Sequence, residues 1–489
     1  MPPFSAATFT TTLALVGVVV MVAALLSGVV DRWRLPQVAV FLLLGLVLGS
    51  NGLGLVVFGL TSPILQTIAT IALVLVLFTD AVSVDVAKIR QHRRLAFLVL
   101  GPGTVLTAAL IAVAGWGMLG LGPAPAVILG AALASTDPVM MRGLLRGGNV
   151  PGPARQALGL ESGLNDIVLL PVVLVAMAFL SAPASAPPLG RMALDLFVLG
   201  PGVGVVLGFL GVAALDQVRR KLTVRRDYES LYALGVAFTA YAGAEAVHGS
   251  GFLAAFAAGL TIAAVDAELC DCFLDFGQAA AAMFLLLTFV ALGSSLIWTG
   301  LSAVTWAGLA FATVALFARS AVLLVALRWQ PLDARSRRLI VWFGPRGLSS
   351  LLLVLLPVFA GLPGAEGLFA PAALVVLLSV VIHGGAQMFL GKGDPVPVAT
   401  PRADAVRAPD HDSTNSLVAN TETITLDELR RLQATGVRVW LLDVRKDLAY
   451  SEADTQARGA LRLPPDGNVA VRAAELALPR HDWLIAYCA

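Results

Sequence analysis

Apolar stretches of about twenty residues recur from Thr10 to beyond residue 380, each long enough as a helix to cross the roughly 30 Å hydrocarbon core of a bilayer. Lipid offers no partners to backbone amides, so a chain built of such stretches has to satisfy them within helices and fold as a helical bundle. Composition agrees, with 58% of the 489 residues hydrophobic and 13% charged, where soluble domains carry roughly a quarter charged. A soluble globular enzyme is therefore excluded for this region. The net charge of +2 indicates no nucleic-acid partner, because basic residues in a membrane protein report orientation. The first apolar run, Thr10 to Val30, lacks a basic leader and a small-residue cleavage site and reads as a retained spanning helix.

About thirteen spans are expected, centred near residues 20, 43, 71, 107, 135, 168, 204, 238, 258, 287, 314, 348 and 378. Their connections alternate in charge. One side carries Arg32 and Arg34, then Lys88 to Arg94, Arg142 to Arg155, Arg219 to Arg226, Arg328 to Arg338, and Lys392, whereas the other offers little beyond Arg191. The positive-inside rule then places the N-terminus outside and the C-terminal tail in the cytoplasm. Asp266, Glu268, Asp271 and Asp275 fall in a loop on the cytoplasmic side and read as a solvated acidic stretch. Cys270, Cys272 and Cys488 are too few and too scattered for a disulfide framework, and Cys270 with Cys272 makes at most half a metal site.

Two spans at matching places in the two halves contain helix breakers, Thr136-Asp137-Pro138 in the fifth and Gly344-Pro345-Arg346-Gly347 in the twelfth. An odd offset of seven spans makes the second half inverted in the membrane. Proline inside a helix removes a backbone hydrogen bond, which in lipid is tolerated where the freed groups line a cavity or meet an ion. Paired interruptions of this kind point to a midplane site of a secondary transporter.

Charges inside spans cost at least ~2.5 to 3.5 kcal/mol each and mark function by default. They are Asp137 at the first break, Glu161 and Asp166 in the sixth span, Arg319 in the eleventh and Arg346 at the second break, with Asp80 at the end of the third. Ser162 and Asp166 share one helix face, and Glu161 and Asn165 another. If Arg319 neutralises Glu161, Asp166 remains as a single uncompensated carboxylate for which a proton and a cation compete. Oxygen ligands from Asp166, Ser162, Asn165, Thr136 and Asp137 suit a small alkali cation, and no cofactor is implied; the expected ion is sodium, with potassium its nearest rival. Arg346 would offset the negative ends of the half-helices at the second break. The expectation is a transporter and not an enzyme. The rivals are potassium/proton exchange, a membrane-anchored sulfurtransferase, and a cation sensor.

Four stretches together, Ala134-Ser135-Thr136-Asp137-Pro138-Val139, Glu161-Ser162-Gly163-Leu164-Asn165-Asp166, His248 to Phe256, and Gly344-Pro345-Arg346-Gly347, resemble the electroneutral sodium/proton exchanger branch of the monovalent cation:proton antiporter family. The resemblance covers about residues 10 to 392. It implies an all-α fold of about 13 helices in inverted repeats with two crossing broken helices, a homodimer in a bacterial cytoplasmic membrane, and alternating access of one cation and one proton to Asp166. It also implies a Glu161–Arg319 pair.

Residues 1–392 thus form the transmembrane antiporter region, 393–421 a flexible Pro, Asp, Ser and Thr-rich linker, and 422–489 a cytosolic α/β segment. In that segment Thr425 and Glu428 form a capping box, and Val437 to Val444 and Trp483 to Tyr487 read as buried strands. Asp443-Val444-Arg445, the Gly459-Ala460 turn and the strand leading to Cys488 resemble the first part of a rhodanese domain, whose cysteine would carry a persulfide. The segment ends at Ala489 before a cradling loop, so sulfur transfer is not expected of it.

Overall fold

The computed structural model describes residues 36–84 except 56–57, 93–141, 150–180, 189–221 and 226–386 except 266 and 331, with a few positions between 17 and 25. In the C-terminal part it describes 429, 439–444, 457, 459–463, 476 and 483–487. The chain divides into two compact units, Met1–Val398 and Ala399–Ala489. The expected linker at 393–421, the Thr425–Glu428 capping box and Cys488 lie outside the described residues.

In the first unit α1 spans Gln37–Leu48, α2 Pro63–Val82 and α3 Arg93–Leu98 with Thr104–Leu119, joined by a wider helical turn at Val99–Gly103 that accommodates Pro102. Helix α4 spans Pro123–Ala134 and resumes for one turn at 138–141, and α5 is a long helix, Gly152–Leu180. Helix α6 spans Leu189–Leu194 and Gly200–Arg219 across another wide turn, followed by α7 Arg226–Ala246, α8 Gly251–Val265 and α9 Ala267–Ser294. A short tight helix at Leu296–Ala303 leads to α10 Trp306–Ala326, then α11 Ala334–Trp342, α12 Leu348–Phe359 and α13 Phe369–Ser379. Among the described residues eight helices are long and apolar enough to cross a membrane, and the protein is a multi-pass membrane protein. The expected centres near 43 and 258 fall on α1 and α8, of 12 and 15 residues, which rise only about 18 and 22 Å. The acidic stretch after Asp266 differs from its expectation. The backbone is already helical from Ala267, because residues 267–276 run into the apolar part of α9 with no glycine or proline to stop a helix.

Between helices in lipid, close backbone approach replaces the hydrophobic effect as the source of packing energy. Gly200, Gly204 and Gly208 of α6, four residues apart, lie directly against Ser250, Ala254 and Ala258 at α8, so closely that a Cβ on Gly204 would collide with the Ala254 carbonyl. Gly45 and Gly49 seat α1 on Val290, Gly293 and Ser294 of α9 in the same way. Large apolar side chains left exposed on α3, α6 and α10, such as Trp116, Phe209 and Trp306, lie on surfaces fitted to lipid. The core that carries the two chain breaks is drawn from α1, α2, α4, α5, α9, α12 and α13, with Phe41, Leu75, Phe289, Leu353 and Phe369 fully buried.

The second unit holds a three-stranded parallel sheet, β1 Val439–Asp443, β2 Leu461–Arg462 and β3 Trp483–Tyr487, in the order β2-β1-β3. Asp443 is fully buried; it accepts a hydrogen bond from the Tyr487 hydroxyl at 3.0 Å and lies 3.8 Å from Arg462. Gly459 has φ +81, a conformation that suits glycine at the turn before β2.

Candidate functional site

Helix α4 stops at Ala134 because Pro138 has no N–H to give the Ala134 carbonyl, and Ser135 turns extended with ψ 136. The second break runs from Phe343 to Gly347 between α11 and α12. The two breaks touch: the Asp137 N–H donates to the Pro345 carbonyl at 2.9 Å. Each end that they expose finds a charged partner. The Arg346 guanidinium donates from Nη1 to the carbonyls of Ala134 at 2.6 Å and Ser135 at 3.1 Å, neutralising the negative end of α4. The Asp137 carboxylate accepts from Val139 N–H at 2.8 Å and Leu348 N–H at 3.0 Å, so it caps the positive ends of the turn 138–141 and of α12 together. Gly347 lies where any Cβ would run into that carboxylate. Ser350 donates to the Ser135 carbonyl at 3.2 Å, and Ser379 of α13 accepts from the Arg346 N–H at 2.7 Å while contacting His383 Nδ1 at 3.1 Å.

Helix α5 crosses this point with its polar face. Asp166, 4% exposed, accepts a hydrogen bond from Ser135 Oγ to its Oδ1 at 2.6 Å. Its neighbour Asn165 donates from Nδ2 to Thr136 Oγ1 at 2.8 Å, which leaves the buried Asn165 Oδ1 with no partner among the described residues. Ser162 sits one turn back on the Asp166 face, buried, with its hydroxyl directed to the Gly159 carbonyl at 3.3 Å.

On the adjoining face of α5, Glu161 forms a bidentate ion pair with Arg319 of α10, both its carboxylate oxygens taken by the guanidinium. The remaining Arg319 nitrogen donates to the Ile340 carbonyl at 2.9 Å, and Ser320 donates to the Val341 carbonyl at 2.8 Å, so the C-terminal end of α11 is also closed by an arginine. Three carboxylates, Asp137, Glu161 and Asp166, therefore face two guanidinium groups, Arg319 and Arg346, and all five side chains are buried.

The fold brings Thr136, Asp137, Glu161, Ser162, Asn165, Asp166, Arg319 and Arg346 into one cluster. Asp80 lies near the end of α2, half-buried. Sequence reading missed Ser135 as a side chain at the site, together with Ser350, Ser379 and His383. The signal for Ser135 was its place beside Thr136 in a break, which by itself does not distinguish a hydroxyl aimed at α5 from one aimed elsewhere. Among the described residues no group of three His, Cys, Asp or Glu is arranged to hold a metal ion in the manner of a resident centre.

Residues 18–391 match the profile of the sodium/hydrogen exchanger family, transmembrane. The K(+)/H(+) antiporter NhaP of Alkalimonas amylolytica is 27% identical over 378 residues, covering 76% of this chain and 65% of that protein. The K(+)/H(+) antiporter NhaP2 of Shewanella sp. (strain ANA-3) is 29% identical over 368 residues, 74% of this chain and 63% of its own. The chain thus spans just under two thirds of the length of these relatives. In structure it is similar to the sodium proton antiporter MjNhaP1 from Methanocaldococcus jannaschii, with a TM-score of 0.63 at 18% identity over 77% of this chain and 99% of that one, which establishes a common fold. With the profile running through both breaks and the whole of the buried cluster, this chain belongs to the sodium/hydrogen exchanger family.

Proposed function

We propose that the protein is a secondary active transporter that exchanges a monovalent alkali cation for a proton, with Asp166 as the group both ions share. The observation that carries this reading is the charge arrangement at the crossing. Glu161 is neutralised by Arg319, and Asp137 and Arg346 are bound to the ends of the broken helices, which leaves Asp166 with a neutral hydroxyl partner in place of a countercharge. A buried carboxylate without a countercharge is stable only with a proton or a cation bound. Either ion brings one positive charge, so one cation replaces one proton and the exchange is electroneutral. Hard oxygens from Asp166, Ser162, Asn165, Thr136 and Asp137 suit an alkali ion, with Asp137 sharing its carboxylate between that role and the two helix ends. Arg346 and Arg319 hold the half-helix ends while the site alternates between the two sides.

Sodium is our first reading of the substrate, from the compact all-oxygen site. Potassium is the second, favoured by the relatives named K(+)/H(+) antiporter. The reading extends to about 13 spans in inverted repeats, a homodimer in a bacterial cytoplasmic membrane with the N-terminus outside, and a cytoplasmic tail of rhodanese-like type with a regulatory or vestigial role in place of catalysis. The test is proton movement in everted vesicles on adding sodium, then potassium. Dissipation of the pH gradient by one cation in the natural chain and its absence in folded Asp166→Asn supports exchange and names the ion. No dissipation by either cation in folded natural protein refutes it.

A further inference from the structure

We infer that Ser135 Oγ is a direct ligand of the transported cation and a determinant of which alkali ion is accepted; this rests on Asp166 being the carrier. Its hydroxyl lies 2.6 Å from Asp166 Oδ1 in a fully buried position, so an ion seated on that carboxylate oxygen is within reach of the same hydroxyl. A hydroxyl has one donor and two acceptor lone pairs. The donor is spent on Asp166, and the acceptor side faces no donor among the described residues. When a cation takes the carboxylate, rotation about the Cβ–Oγ bond turns a lone pair toward the ion with no backbone movement.

The backbone of the break points the same way. The two carbonyls released before Pro138, those of Ala134 and Ser135, are already occupied by Arg346 Nη1 and, for Ser135, by Ser350 Oγ as well. Ser135 therefore contributes to the site through its side chain, and those hydrogen bonds hold that side chain in place. A second oxygen stands ready nearby. Asn165 Oδ1 is buried without a partner among the described residues, and its amide is pinned to Thr136, the residue after Ser135. A buried acceptor left unpaired is destabilising, a cost that a bound cation removes. Asp166 and Ser135 then supply oxygens from two side chains in contact between α4 and α5, and Asn165 Oδ1, on the next residue of α5, is a further candidate oxygen.

A smaller, more strongly hydrated cation gains more from each additional close oxygen, so loss of this hydroxyl weakens sodium and lithium more than potassium. The experiment measures exchange at fixed pH in vesicles for sodium, lithium and potassium, alongside protection of the purified full chain from thermal denaturation by each chloride salt. It compares the natural chain with Ser135→Ala, Ser135→Cys, Ser135→Thr and Asp166→Asn. The expected result is a rise of about tenfold in the sodium KM in Ser135→Ala and Ser135→Cys, the size of losing one good contact of about 1.4 kcal/mol, with a smaller rise for potassium and weakened protection by sodium. Ser135→Thr keeps the hydroxyl and recovers most of the loss. Cysteine matches serine in shape and lacks the hard oxygen, so it separates a ligand from a packing role. Unchanged KM values and salt protection in folded Ser135→Ala overturn the assignment while Asp166→Asn is still inactive. Exchange that survives in Asp166→Asn overturns the carrier reading and this inference with it.

Discussion

Replacing Glu161 with methionine leaves the Arg319 guanidinium facing a thioether in a site where both partners are almost completely buried. Removing one partner of a buried ion pair costs about 3 to 5 kcal/mol, because the other charge stays in a low-dielectric interior. Arg319→Met exposes the opposite charge and also strips the hydrogen bond to the Ile340 carbonyl, a further loss of about 1 kcal/mol, so it is the more damaging of the two. The double variant removes both charges and replaces them with apolar side chains, a change that is often close to neutral for a buried pair. Thermal denaturation of the full chain in detergent, followed by tryptophan fluorescence at one scan rate, reads the difference. At about 2.1 cal/mol/K of unfolding entropy per residue, the Met1–Val398 unit shifts by roughly 1 °C per kcal/mol, so the Glu161→Met midpoint falls by about 3 to 6 °C. Arg319→Met falls further, and the double variant lies well above the sum of the two. A single-variant loss below about 1 kcal/mol, or a double variant equal to the sum of the singles, refutes the view that the two charges form one buried unit.

Gly347→Ala sets a methyl group against the Asp137 carboxylate and separates the two breaks; at about 1 to 3 kcal/mol for overpacking, it lowers the denaturation midpoint and slows exchange, and an alanine variant equal to the natural chain in both disproves the close approach. Arg346→Lys keeps the charge and loses the planar fork that donates to Ala134 and Ser135, so exchange falls at least several-fold in protein that reaches the membrane, measured in the same vesicles. Asp333 outside the spans accepts from the Ser336 N–H and caps α11, and hydrogen bonding from Ser336, by its side chain first and its backbone second, holds the Asp333 carboxyl below the usual carboxylate range. A depressed folded value means its contribution is present above the ordinary aspartate pKa and disappears as pH falls through the folded value. Asp333→Asn keeps a capping oxygen and abolishes that part of the acid sensitivity, seen as a smaller drop in midpoint between neutral and strongly acidic buffer; an equal drop in both proteins refutes it.

The apolar runs that become α2, α3, α5 and α10 are legible in the chain because hydropathy is a sum over neighbouring residues and lipid imposes helix on any such run. Charges out of place in those runs are legible for the same reason, so Asp137, Glu161, Asp166, Arg319 and Arg346 stand out against their apolar neighbours in the chain alone. Short helices are harder to read. Helices α1 and α8 are set by glycine contacts with α9 and α6, partners distant in the chain, and the acidic stretch after Asp266 carries a loop pattern where the backbone is helical. What each charge does is a further step. That Asp137 spends its carboxylate on two helix ends, that Arg346 closes α4 from a break more than two hundred residues later, and that Ser135 and not Ser162 donates to Asp166 follow from which surfaces meet in the bundle. A side chain's polarity is its own property and can be read in one dimension, whereas the partner that satisfies a buried polar group is a property of packing, and only the tertiary structure decided it.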